Sequence, residues 1–209
     1  MSTAHYARRV PATTQPTTPQ RPSEARERLL RAASGLFYAK GVHVVGVDEI
    51  ISSAQVTRAT FYRHFPSKDD LIVAYIRSGD QHVRQAVAAA LEGVTSPDAG
   101  VRALADHVAG QIATPGFRGC AFLNAAAEYP ASEDPIHQAV LEHRTWYYET
   151  VREQFRQVSE DKAEPAARHF VMLRDGAMAE GCLVGVEETT TTFLRGVDGM
   201  LALMPFRHD

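Results

Sequence analysis

Leu29, Ala33, Leu36 and Phe37 fall at i, i+4, i+7 and i+8, the spacing of one buried helix face. Ser23 is placed to cap that helix, with Glu24 behind it favouring its positive end. Lys40-Gly41 supplies a stop: a cation in the last turn, then a residue free to turn left-handed. Val47, Ile50, Ile51 and Ala54 predict a second, short helix. After a three-residue break Thr57 caps a third, whose Phe61 and Phe65 share a face and which Pro66 stops. Ser67, with Asp70 three residues on, opens a fourth helix running towards Leu91.

The helical period continues. Val101, Leu104, Ala105, Val108 and Ile112 form one stripe, closed by Thr114-Pro115-Gly116, and Cys120 to Tyr129 is a short apolar helix ended by Pro130. Asp134-Pro135 is a cap followed by proline at the first helical position, and helical spacing then holds from Ile136 to Val158. Glu164-Pro165 opens another helix, and Phe193, Val197, Met200, Leu201 and Met204 place a last one before Pro205. No strand-like alternation and no internal repeat occurs, so the expected fold is all-α.

Composition narrows the class. With 209 residues, 44% of them apolar, and a net charge of only −3, the chain holds enough apolar surface for one large domain or two small ones and is not disordered throughout. Two cysteines, Cys120 and Cys182, suit a reducing compartment rather than a disulfide scaffold. No apolar run is long enough to span a membrane, and Arg8 and Arg9 are not followed by the apolar block of a secretory signal. A cytoplasmic protein without membrane contact is expected. Residues 1–22, with Pro11, Pro16, Pro19 and Pro22, read as a flexible tail, either solvated or a basic arm along DNA.

The charge is unevenly placed. Residues 1–84 carry 12 basic and 7 acidic side chains, whereas residues 85–209 carry 10 and 18. A basic first part on an acidic remainder suits contact with a polyanion.

The stretch from Gly46 to Leu71 gives that charge a purpose. Two short helices joined by a tight turn are the layout of a helix-turn-helix, whose second helix enters the major groove. Val47, Ile50, Ile51 and Ala54 face the core from the first helix, and Val56, Phe61 and Phe65 from the second. Arg58, Ala59, Thr60, Tyr62, Arg63 and His64 are left outside: donors and small residues suited to phosphates and base edges. The plainer alternatives are a core role for Tyr62 and a solvated face for Arg58 and Arg63. Lys68 stands in the first turn of the fourth helix, where a cation opposes the helix dipole unless an anion is held there.

These residues resemble the DNA-binding domain of the TetR/AcrR family of bacterial transcriptional regulators. The run Thr60-Phe61-Tyr62-Arg63-His64-Phe65-Pro66-Ser67-Lys68 is close to the family signature, and Lys40-Gly41 and Asp48-Glu49-Ile50 precede it at the right distances. Gly119-Cys120-Ala121-Phe122-Leu123-Asn124, with Ala127-Glu128, is similar to a segment common in one subgroup. The resemblance implies residues 23–84 as the DNA-binding head (motif about 47–66) and residues 85–209 as a helical effector-binding and dimerisation body. It further implies a homodimer on double-stranded operator DNA, a repressor released by a small-molecule effector. Thr60, Tyr62, His64 and Lys68 would hold phosphates, Arg58, Ala59 and Arg63 would lie where the family reads bases, and Thr57 completes the set as the cap. Two positions depart from the pattern: Gln55 stands where glycine is usual in the turn, and Val45-Gly46 where a Thr or Ser usually caps the second helix.

In the body, small residues let helices approach. Gly176, Ala177 and Gly181, with Phe170, Leu173, Phe193, Val197 and Met200 supplying apolar area, are the expected dimer interface. Phe117, Phe122, Trp146, Tyr147 and Met178, with Asn124, Glu128 and His143 as polar fixtures, are the candidate effector pocket, each equally readable as ordinary core. Glu128, beside so apolar a helix, must be exposed, paired or awaiting a ligand, the last hinting at a cationic or hydrogen-bonding effector. A thiol-based redox sensor using Cys120 or Cys182 is the alternative reading. No metal site, cofactor motif or catalytic signature occurs (no HExxH, CxxC, P-loop or GxSxG), so an enzyme is not expected.

Overall fold

The computed structural model describes residues 23–204; the tail expected over 1–22 and the stop at Pro205 lie outside them. Helices α1 (Glu24–Lys40), α2 (Val47–Ala54), α3 (Arg58–His64), α4 (Lys68–Leu91), α5 (Ala99–Ile112), α6 (Ala121–Glu128), α7 (Pro135–Val158), α8 (Ala163–Glu180) and α9 (Val186–Ala202) follow one another, with no strand among the described residues.

Side-chain caps set four of these helix starts. Ser23 Oγ accepts from Arg26 N–H, Thr57 Oγ1 from Thr60 N–H, and Asp134 from Ile136 N–H, each satisfying an otherwise orphaned donor. Ser67 and Asp70 form the full reciprocal capping box. Two starts differ from expectation. Helix α8 opens at Ala163, placing Pro165 inside its first turn, where proline is tolerated because that N–H has no helical partner. Helix α9 opens at Val186, well before the apolar stripe that marks it in the sequence.

Helices α1 to α3 wrap around Leu29, Ala33, Phe37, Ile50, Ala54, Phe61 and Phe65, all buried. Helix α4 serves two cores. Its first turns bury Leu71, Ile72 and Tyr75, with the Phe37 and Tyr75 rings 5.6 Å apart, and it then runs unbroken past residue 84 to pack against α5 and α7. The body is held by α7 against α8 and by α9 against α5 and α8, around a chain of edge-on rings: Phe155 to Phe170 at 6.1 Å, Phe170 to Phe193 at 5.9 Å. The short α6 lies between α4 and α7 and reaches the head.

Gln55 carries the strain its position implies. Its φ of 53° and ψ of 50° make it the one non-glycine residue with positive φ among the described residues. Gly46 caps α2 with extended backbone and no side-chain hydrogen bond.

Candidate nucleic-acid interface and body cavity

Helix α3 presents one wet face. Arg58, Ala59, Tyr62 and Arg63 are exposed, Thr60, His64 and Lys68 half-buried, while Phe61 and Phe65 anchor the helix from below. Tyr62 is 45% exposed and meets Phe61 only edge-on, so it is not a core aromatic. The Thr57 and Thr60 hydroxyls share a hydrogen bond of 2.9 Å at the helix start. Arg58 pairs with Asp48 of α2, both exposed, a surface pair that adds little to stability. His64 Nε2 lies 3.1 Å from Ser23 Oγ, joining the end of α3 to the start of α1. Lys68 Nζ donates to the His43 carbonyl at 3.2 Å, a neutral partner for a cation placed against its own helix dipole.

The candidate pocket residues divide. A cavity of about 340 Å³ opens between α1, α4, the α5–α6 loop, α6 and α8; Phe117, Phe122 and Met178 line it, together with Tyr38, Cys120 and Arg174. Trp146, Tyr147, Asn124, His143 and Glu128 do not. Trp146 carries the Arg84 guanidinium 4.2 Å above its ring. Asn124 donates to the Arg118 carbonyl at 3.1 Å. His143 is buried, stacks on Phe122 at 3.6 Å, and its Nδ1 meets Asp80 Oδ1 at 2.8 Å. Burial drives its pKa below the ordinary histidine value despite the raising contact with Asp80. Tyr147 lies in a narrow crevice behind the cavity, its hydroxyl buried without a partner and pushed by burial up to about 12.

Glu128 is paired. Its carboxylate accepts from the backbone N–H of Val42 at 3.0 Å and of His43 at 2.7 Å, in the turn between α1 and α2. His43 Nε2 reaches the Glu128 carbonyl at 2.8 Å, and the His43 ring stacks on Tyr129 at 4.7 Å. Gly41, at φ 91°, lets the turn pass so close that a Cβ there would stand 3.0 Å from Glu128 Oε1. The other end of α6 is also tied to α1: Tyr38 Oη donates to Gly119 O (3.1 Å) and accepts from Arg118 N–H (2.8 Å). Thus α6 is fastened to the head at both ends, and one fastening, Tyr38 to Gly119, is part of the cavity wall.

Sequence patterning missed Tyr38, His43 and Arg174. Arg174 had a signal: it falls four residues after Phe170 and three before Ala177, on the buried stripe of α8. Its Nη1 donates to Cys120 Sγ at 3.3 Å and to Asp175 Oδ1 at 2.9 Å. Burial works against its charge, yet Cys120, Tyr147 and Asp175 around it hold its pKa above the ordinary arginine value. Cys120 and Cys182 are both free thiols, the first buried and the second exposed.

The expected dimer residues divide too. Phe170, Phe193, Val197 and Ala177 are spent on the subunit's own core and have little surface to offer a partner. Gly181 faces Ile112 and Phe117 of its own chain. Gly176 is open, with nothing within 4 Å of an added Cβ, and Leu173 and Met200 are half-buried. The exposed apolar side chains nearby are others: Met172 at 71%, Leu183, Val184 and Leu203.

Comparison with known proteins agrees with this geometry. Residues 29–75 match the family described as bacterial regulatory proteins, tetR family, and residues 97–168 match the tetracyclin repressor-like C-terminal domain. The HTH-type transcriptional regulator LmrA of Bacillus subtilis is 28% identical over 148 residues, covering 69% of this chain and 79% of the relative. The transcriptional regulator AcuR of Cereibacter sphaeroides is 32% identical over 141 residues, 61% of this chain and 64% of the relative. The crystal structure of a TetR-family transcriptional regulator from Streptomyces coelicolor superposes with a TM-score of 0.83 at 54% identity, over 86% of this chain and 95% of that one. A capped recognition helix on a three-helix head, a helical body behind it and kinship across nearly the whole of a solved relative lead to one conclusion: the chain belongs to the TetR family of bacterial transcriptional regulators, which bind DNA.

Proposed function

We propose that the protein is a repressor that binds its operator as a homodimer and is released by a small molecule held in the body cavity. The observation that carries this reading is the double fastening of α6. One wall of the cavity, through Gly119 and Tyr38, is hydrogen-bonded to α1, and the far end of the same helix grips the α1–α2 turn through Glu128. A ligand that displaces Phe122 or the 117–119 loop therefore moves the head, and such differential contact is what couples two sites.

At the head, Arg58, Ala59 and Arg63 are assigned to base edges and Thr60, Tyr62, His64 and Lys68 to phosphates, with Thr57 holding the helix start. Their exposure on one face over a buried Phe61–Phe65 anchor supports the assignment. Two heads reading half-sites about 34–36 Å apart need a fixed spacer. The open faces of α8 and α9 suit that role: a groove of about 440 Å³ runs between them, lined by Met172, Leu173, Gly176 and Thr192. A second copy laid there would cover the exposed apolar side chains that a lone subunit leaves wet. The thiol-based alternative has no comparable observation behind it.

The test is an anisotropy titration of DNA flanking the protein's own gene, combined with sedimentation. Sequence-specific binding by a dimer, weakened by a cavity ligand, is the expected outcome. A monomer with no preference for any fragment would refute the reading.

A further inference from the structure

Behind the cavity lies a cluster whose charges do not cancel. Arg174 is 8% exposed, and its nearest carboxylate, Asp175, is shared: Oδ1 takes Arg174 Nη1 at 2.9 Å and Oδ2 takes Arg144 Nη1 at 2.8 Å. One carboxylate thus serves two guanidinium groups. Arg144 is part-exposed, so water shares its charge, whereas Arg174 has no such relief. The carboxylate beside His143, Asp80, is already taken by Arg84 at 2.7 Å and by that histidine at 2.8 Å. Arg174 Nε and the Tyr147 hydroxyl are buried without partners. A buried guanidinium with an idle donor and half a counter-ion is an arrangement that an added anion completes.

The cavity brings space to that charge. Cys120, Phe122 and Arg174 line both the cavity and the crevice that holds Tyr147, so the guanidinium forms part of the partition between them. Helix α6 starts at the same wall, with no side chain capping its first turn, and Cys120, Ala121 and Phe122 bring its positive end to the cavity. The remaining lining is largely apolar, Val83, Phe117 and Met178 among it, and about 340 Å³ is the small end of ligand sites. The carboxylate that hinted at a cationic effector, Glu128, is consumed by the Val42 and His43 amides.

We propose that the effector is a small organic anion, a carboxylate on a compact apolar body, whose charged end pairs with Arg174 while its body fills the space beside Phe117 and Met178. This deepens the reading of the cavity as the effector site and rests on it. A ligand so held lies against Phe122 and Gly119, at the end of α6 that Tyr38 fastens to the head.

The test uses the full chain and three matched series: short aliphatic and aromatic carboxylates, their primary amides, and the corresponding amines. Calorimetry reads binding, and anisotropy on an operator fragment reads release. Carboxylates are expected to bind at least tenfold more tightly than their amides, with no binding of the amines. Arg174→Gln should remove that advantage, and Arg174→Lys should restore part of it. The comparison between series in the unaltered protein stands even if the variants do not fold. Amides or amines binding as well as carboxylates would overturn the anionic class and leave a responsive cavity in place. Carboxylate binding without release of DNA would keep the anion site and overturn the release reading. No binding in any series would overturn both.

Discussion

Replacing Glu128 by alanine should loosen the head from the body without unfolding either. The carboxylate accepts two backbone N–H groups, Val42 at 3.0 Å and His43 at 2.7 Å. Hydrogen bonds to a charged group contribute roughly 1.5–3 kcal/mol each. Because Glu128 is half-buried, water replaces part of the lost acceptor, and the lower end applies: about 3 kcal/mol for the pair. The ring contact from His43 goes to the Glu128 carbonyl and survives the substitution. For a chain of this size each kcal/mol moves Tm by roughly 2–4 °C, so a fall of about 6–12 °C is expected. Glu128→Gln keeps one acceptor oxygen and should lose about half as much. Calorimetric melting gives the global figure, and amide hydrogen exchange at Val42 and His43 locates it: both should exchange faster in Glu128→Ala while the α7 amides do not. Stability within about 0.5 kcal/mol of the parent, together with unchanged exchange at those two amides, would refute the clamp.

Gln55 occupies a left-handed conformation that costs a side-chain-bearing residue about 1–2 kcal/mol, so Gln55→Gly should stabilise the fold by up to about 1 kcal/mol after its own entropic cost, read as a higher urea midpoint; a fall would contradict the strain. His143 and His107 are both held below the ordinary 6.5, chiefly by burial, so the unfolded chain takes up their protons more readily. Their contribution to stability is complete above 6.5 and is lost as pH falls from there towards the folded values; urea midpoints should drop over that window, and His143→Phe should flatten the drop. Met172→Glu places a charge on the open face of α8; sedimentation should show monomers with unchanged helix content, whereas persistence of the dimer would move the interface elsewhere.

The helices were legible because their ends are chemical. Ser23, Thr57, Ser67 and Asp134 each announce a start that the backbone then uses, and Phe61 with Phe65 shows which side of α3 is wet. The exposed side of α3 followed from adjacent residues. The body cavity did not, because its members come from five helices and a loop, and helical spacing cannot say which aromatics meet. Glu128 illustrates the limit: its partners lie 85 and 86 residues earlier, and nothing local distinguishes a paired carboxylate from a waiting one. Phe170, Phe193 and Val197 read as partner-facing in the sequence because an apolar helix face looks the same whether a neighbouring helix or a second copy covers it. The start of α9 was hidden because Glu187 to Thr192 is polar and largely exposed, with Thr189 alone buried.

In the proposed complex, residues 57–68 of two copies together hold duplex DNA by its phosphates. The most direct measurement is the salt dependence of operator affinity for the parent and for Lys68→Ala. The log of affinity should fall linearly with the log of salt, and the variant should bind more weakly to every sequence with a slope lower by about one per copy, hence about two per dimer. An unchanged slope in Lys68→Ala, or no binding of the parent even at low salt, would contradict it.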